Sequence, residues 1–185
     1  MREYKKYFQI LLFTIVFGTV VLPQDVSAKI KNFTETKLVK WAADSKIISA
    51  VKKQNEKNIP LDKIKESDKK WMETSGLDDF MKGLLMNDCS GYLKKLQKEN
   101  PVIIEAFAMD NKGANVGMTN KTSDYWQGDE DKFIKSYNGG KGQIHYGKMI
   151  FDESSQAYLI QISVPVIENN VTIGAVTFGI DTSAI

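Results

Sequence analysis

VIIEAFAMDNKGANVG (residues 102–117) is where the chain changes period. Before Pro101, apolar residues recur every three or four positions. From Val102 onward they follow the spacing of strands, with Ile103, Ile104, Ala106 and Phe107 forming a strongly apolar run. Asp110-Asn111-Lys112-Gly113 reads as a turn, with Gly113 placed to take a positive φ. Residues 114–118 return as the partner strand. Residues 143–151 and 157–166 form the next two strands around the polar turn 152–155, and Glu168-Asn169-Asn170 leads into a fifth strand at 171–180. Pro165, near the end of its strand, implies a position that needs no ladder donor. Between the second and third strands lies TNKTSDYWQGDEDKFIKSYNGGKG (residues 119–142), a polar, aromatic segment that runs into a short helix.

The half before Pro101 is helical. In residues 29–56, Ile30, Phe33, Leu38, Trp41, Ile47, Ile48 and Val51 make one broad stripe among lysines, the pattern of a single amphipathic helix. Pro60 ends it by disfavouring helical geometry at Ile59. Shorter helices are expected at 61–72, 77–86 and 89–97, with breaks at Ser75-Gly76 and at Glu99-Asn100-Pro101. A helical part at 29–100 followed by an antiparallel sheet at 101–181 defines an α+β fold.

Residues 1–28 read as an export signal. Arg2, Lys5 and Lys6 precede an apolar run from Ile10 to Leu22, and Val26-Ser27-Ala28 supplies the small residues of a cleavage site. The thirteen-residue run is shorter than the roughly twenty residues a membrane span needs, so cleavage after Ala28 is expected rather than retention as an anchor. No cysteine follows the run to carry a lipid. One domain, residues 29–185, then remains in the periplasm or outside the cell. Removing Arg2, Lys5, Lys6, Glu3 and Asp25 from 25 basic and 23 acidic residues leaves a net charge of about +1, which gives no footprint for nucleic acid. The single cysteine, Cys89, rules out an intrachain disulfide and reads as a buried packing residue. The single histidine, His145, lies far from it along the chain. With no G-x-S-x-G or H-E-x-x-H motif either, no catalytic residue and no enzyme activity is expected.

The Asp110–Gly113 turn, the run SDYWQGDEDKF (residues 123–133) and the ending VPVIENNVTIGAV (residues 164–176) together resemble the extracytoplasmic Cache (PAS-like, PDC-type) sensor domains of bacterial receptors. The likeness covers about residues 30–181. It implies a five-stranded antiparallel sheet of order 2-1-5-4-3, with the long N-terminal helix packed on it. It also implies a small-molecule pocket between the sheet and the segment joining the second and third strands, here residues 119–141. In such receptors the last strand continues into a membrane helix and a kinase or chemotaxis module, whereas this sequence stops at Ile185. A stand-alone sensor domain that signals through a separate membrane receptor or kinase is therefore expected.

Residues of the expected pocket are Asp124, Tyr125, Trp126, Asp129 and Lys132 from the joining segment, Tyr146 from the third strand and Asp152 from the turn after it. Carboxylates beside aromatic faces suit a cationic ligand, so an amine or amino-acid-like molecule is favoured over a carboxylate. Arginine, which pairs both oxygens of a carboxylate, occurs only at position 2. The spacing of Asp124, Asp129 and Asp131 does not match a calcium loop, and neither a metal nor a cofactor is expected. Asp129, Glu130 and Asp131 equally suit the first turn of a helix without any ligand. The alternative is a protein-protein or dimerisation module that docks on a membrane receptor through the helix at 29–56.

Overall fold

The computed structural model describes residues 24–152 and 157–185. The expected signal peptide therefore lies outside the described residues as far as Pro23. Helix α1 (Gln24–Phe33) continues through a π-turn at Thr34–Leu38 into α2 (Val39–Ala42), and α3 (Ser45–Glu56) follows. The single helix expected over 29–56 is thus interrupted at Ala43-Asp44. Asp44 adopts an extended conformation, and its carboxylate accepts the Lys46 N–H at 2.8 Å, so it starts a new helix rather than continuing the old one. The apolar period runs on across the break, which is why sequence periodicity does not reveal it. Phe33 and Trp41 stack edge to face, and Trp41 meets Phe178 on the sheet, so this stripe packs inward.

Three further helices complete the first half: α4 (Leu61–Glu73), α5 (Asp79–Met86) and α6 (Asp88–Glu99). Asp78 caps α5 through the Met81 N–H, and Asn87 caps α6 through the Ser90 N–H. These polar caps start α5 and α6 as two separate helices, close to the bounds 77–86 and 89–97 expected from the sequence.

The strands are β1 (Ile103–Met109), β2 (Asn115–Met118), β3 (His145–Asp152), β4 (Ala157–Glu168) and β5 (Val171–Asp181), with α7 (Asp131–Tyr137) between β2 and β3. They form one antiparallel sheet of order β2-β1-β5-β4-β3, as the Cache resemblance implies. The ladder from β4 to β3 ends at Ser163, so Pro165 lies beyond the stretch where β3 would need its N–H.

Register divides the side chains between two faces. Ala106, Phe178, Ile162 and Tyr146 follow one another across the sheet on the first face. There Leu38, Ile47 and Val51 from the N-terminal helices and Leu93 from α6 complete the main core. Phe107, Thr177, Ser163 and His145 form the corresponding row on the second face, where Trp71, Tyr125 and Phe133 complete a second core. Cys89 belongs to the first core and His145 to the second-face row, so the sheet separates them. Burial pushes the Cys89 thiol up to about 12, with the nearby Asp44 carboxylate adding to the effect.

The two edges of the sheet are treated differently. Along β2, Asn87 Nδ2 donates to the Val116 carbonyl at 2.8 Å, Ser90 Oγ accepts the Met118 N–H at 2.7 Å, and the Asn115 N–H reaches the Tyr125 carbonyl at 3.0 Å. Along β3, no other described strand pairs on the outer side, and Tyr146, Ile150 and Phe151 are exposed.

A candidate ligand site under the segment joining β2 and β3

The site begins at the turn between β1 and β2. Asp110 Oδ1 accepts the N–H groups of Lys112 (2.8 Å) and Ala114 (2.9 Å), closing the turn, and Gly113 has φ +85°. A side chain at Gly113 would also strike the backbone of Gly128. The turn and the joining segment are therefore zipped together. The Gln127 N–H donates to the Gly113 carbonyl at 2.8 Å, and Trp126 Nε1 donates to the Lys112 carbonyl at 2.7 Å.

A second fastening comes from α4. Asp68 Oδ1 accepts the backbone N–H groups of both Tyr125 (2.7 Å) and Trp126 (2.9 Å). Charge-assisted bonds of this kind are about twice as strong as neutral ones. The Tyr125 ring is thereby buried against Trp71 and Phe80, at centroid distances of 5.8 and 5.2 Å. Burial, with Asp110 and Asp68 nearby, raises its phenol well above the ordinary range.

Asp110 itself is buried, and that burial raises its carboxyl despite the N–H groups that favour the charged form. An aspartate raised in the fold loses stabilising effect as pH climbs through its unfolded value of about 4 toward its folded one. Asp110→Asn keeps the accepting Oδ1 and removes the buried charge. The variant is therefore expected to melt at or above the wild-type midpoint at pH 7 and to lose that advantage below about pH 4. Melting curves at pH 3 and pH 7 test this, and a variant less stable at pH 7 than at pH 3 relative to wild type would refute it.

The fold gives the expected pocket residues different surroundings. Asp124 holds the segment internally: its Oδ1 accepts Gln127 Nε2 at 2.6 Å and Ser123 Oγ at 2.7 Å. Trp126 is half-buried, and Lys65 Nζ sits 4.5 Å from its ring centroid, so the cation over this indole comes from the protein. Lys132 turns back toward the sheet, 3.0 Å from Glu130 Oε2 and 5.4 Å from the Phe107 ring. Asp129 is exposed. Asp152 ends β3, and its side chain is not among those described. Tyr146 lies on the first face of the sheet. Asp124, Tyr125 and Trp126 thus come together on the second face with Lys132 over the same sheet surface. Asp129 and Tyr146 do not join them.

Three residues outside the expected set are informative here. Asn115 Nδ2 donates to Thr122 Oγ1 and to the Asp124 carbonyl, and Gln127 Nε2 donates to that same carbonyl. Acceptors on that side fix both amides with nitrogen inward. Asn115 Oδ1 and Gln127 Oε1 are left buried with no hydrogen-bond partner, as is Ser136 Oγ on α7. The sequence gives no hint of this, because it depends on one amide from β2 and one from the joining segment converging on one carbonyl. Among the described residues, no group of three His, Cys, Asp or Glu side chains is arranged to hold a metal ion.

No family model matches the sequence, and no curated protein matches it. Solved structures similar to it include sensor domains. The sensor domain of the Vibrio cholerae histidine kinase DctB is 13% identical with a TM-score of 0.48, the match covering 86% of this chain and 51% of that one. The sensory domain of the Campylobacter jejuni chemoreceptor Tlp3 is 15% identical with a TM-score of 0.41, covering 84% and 61%. The ligand-binding domain of the Pseudomonas aeruginosa amino acid chemoreceptor PctC, solved with GABA, is 9% identical with a TM-score of 0.41, covering 85% and 61%. The chain therefore spans about half to three-fifths of these structures. No described helix is long and apolar enough to cross a membrane.

Proposed function

We propose that this chain is an exported sensor domain of the Cache type that binds a small amine-bearing molecule beneath the segment 119–141 and signals through a separate membrane receptor or kinase. The observation that carries this reading is the trio of buried, unpaired oxygens on Asn115, Gln127 and Ser136. Native interiors leave few such groups unpaired, and each calls for a partner. Two of the three are pure acceptors, and the buried Asp110 carboxylate near Tyr125 adds negative charge under the same segment. A ligand that donates hydrogen bonds, such as an ammonium group, complements that surplus, whereas a carboxylate adds to it.

Thermal shift separates these ligand classes. The purified protein is screened with alkylamines and amino acids beside the matching carboxylic acids. An amine present at a hundredfold excess over its dissociation constant stabilises the native state by about 2.7 kcal/mol. The shift is expected to be lost in Gln127→Met, which removes Oε1 but preserves side-chain length. Shifts produced only by the acids refute the amine reading. A cooperative melt that no compound moves favours the protein-protein module instead.

A further inference from the structure

A cleft of about 780 Å³ runs between α3 and α5. α3 turns one whole face to it: Ser45, Ser49 and Lys53 at four-residue steps, with Lys46, Gln54 and Lys57 alongside. α5 forms the opposite wall with Asp79, Phe80, Gly83 and Leu84, again at helical spacing. Val116 from β2 and Cys89 from α6 lie at the floor. Small-molecule sites commonly measure about 300–1,000 Å³ and pair an apolar floor with a few polar groups.

Charge is divided between the walls. Lys57 Nζ is held by Gln54 Oε1 at 3.0 Å, and Lys46 Nζ lies 5.5 Å from the Tyr92 ring centroid. Lys53 has no ion-pair partner among the described residues. Opposite α3, Asp79 of α5 is bonded to Lys82 at 3.3 Å and Asp88 of α6 is exposed. Between them Phe80 leaves 47% of its surface exposed. Gly83 keeps the α5 wall open: an added Cβ would meet nothing within 4 Å, although glycine is a poor residue for the middle of a helix.

We propose that this cleft is a second ligand site, which takes a small amphiphilic anion. An apolar ring or short chain rests on Phe80, Leu84 and Ala50, and a carboxylate or sulfonate faces Lys53 and Lys46. Asp79 and Asp88 turn the charged end away from α5 and toward α3. The occupant lies one side chain from the first site, because Gln54 Nε2 reaches Tyr125 Oη at 3.4 Å and Phe80 packs on the Tyr125 ring.

Calorimetric titration of the whole protein with 1-naphthoate, and with the neutral 1-naphthylmethanol, tests the proposal. Saturable binding of the anion and none of the alcohol is expected. Gly83→Trp projects a bulky ring from a position where an added Cβ meets nothing within 4 Å, and should weaken binding about tenfold or more while still melting cooperatively. Lys53→Glu, which reverses the charge facing the anion, should weaken it by a similar factor of about ten. Lys148→Glu on β3 and Gln127→Met beneath the other segment should leave it unchanged. Absence of saturable naphthoate binding, or binding undiminished in both Gly83→Trp and Lys53→Glu, overturns the assignment. Loss in Gln127→Met alone overturns it too, by placing the anion at the first site.

Discussion

Trp71→Ala is expected to lower the unfolding free energy by about 3–5 kcal/mol, the range for removing a fully buried large side chain. Trp71 is 1% exposed and brings α4 into the second core. Its ring contacts Tyr125 and Phe80, its Nε1 donates to the Thr122 carbonyl at 2.8 Å, and Lys121 Nζ lies 5.8 Å from the ring. Truncation leaves a cavity between α4, Phe80 and Tyr125, and a Thr122 carbonyl without its donor. Trp71→Phe, which keeps part of the volume and loses only the hydrogen bond and one ring, should cost about half as much or less. Urea unfolding followed by circular dichroism measures both. A loss below about 1 kcal/mol for the alanine variant would mean that the second face is not packed as described.

Gly174→Ala is expected to cost about 3 kcal/mol, at the upper end for overpacking a close-packed interior. A Cβ at position 174 would strike the Met109 carbonyl oxygen on β1 and lie 2.8 Å from Val51 Cγ1 on α3. The carbonyl belongs to a strand fixed on both sides by its neighbours, so the backbone has to move. The same substitution at Gly83 meets open space and should stabilise α5 by up to about 1 kcal/mol through helix propensity. Opposite signs for one chemical change at two glycines would establish that contact, rather than composition, sets the effect. Equal and small effects would contradict the packing of α3 on β5.

The sheet is legible in the sequence because its strands announce themselves with period two and its turns with Asp110–Gly113 and the Asn169-Asn170 pair. Gly113, Asn169 and Asn170 all hold positive φ in the structure. The helical half is legible in extent and less so in its joints. Asp44 stops one helix and starts another through a single hydrogen bond, without disturbing the apolar stripe on either side. That Asp124, Tyr125 and Trp126 lie near one another is legible, since they are consecutive in the sequence. Their roles are not, because the partners that define them are distant in sequence. Asp68 grips the backbone of Tyr125 and Trp126 from more than fifty residues away, and Lys65 occupies the indole face that a cationic ligand would otherwise use. No local pattern encodes either contact.

The unequal edges of the sheet limit how copies of this molecule can join. Asn87, Ser90 and the Tyr125 carbonyl already occupy hydrogen-bonding groups along β2, so a visiting strand finds no continuous ladder there. Among the described residues no strand pairs with the outer side of β3, which leaves such a ladder there. Strand pairing can therefore extend this sheet in one direction only. Two copies that meet through β3 use up the open edge of each, and growth stops at a closed two-fold pair instead of continuing as a fibre.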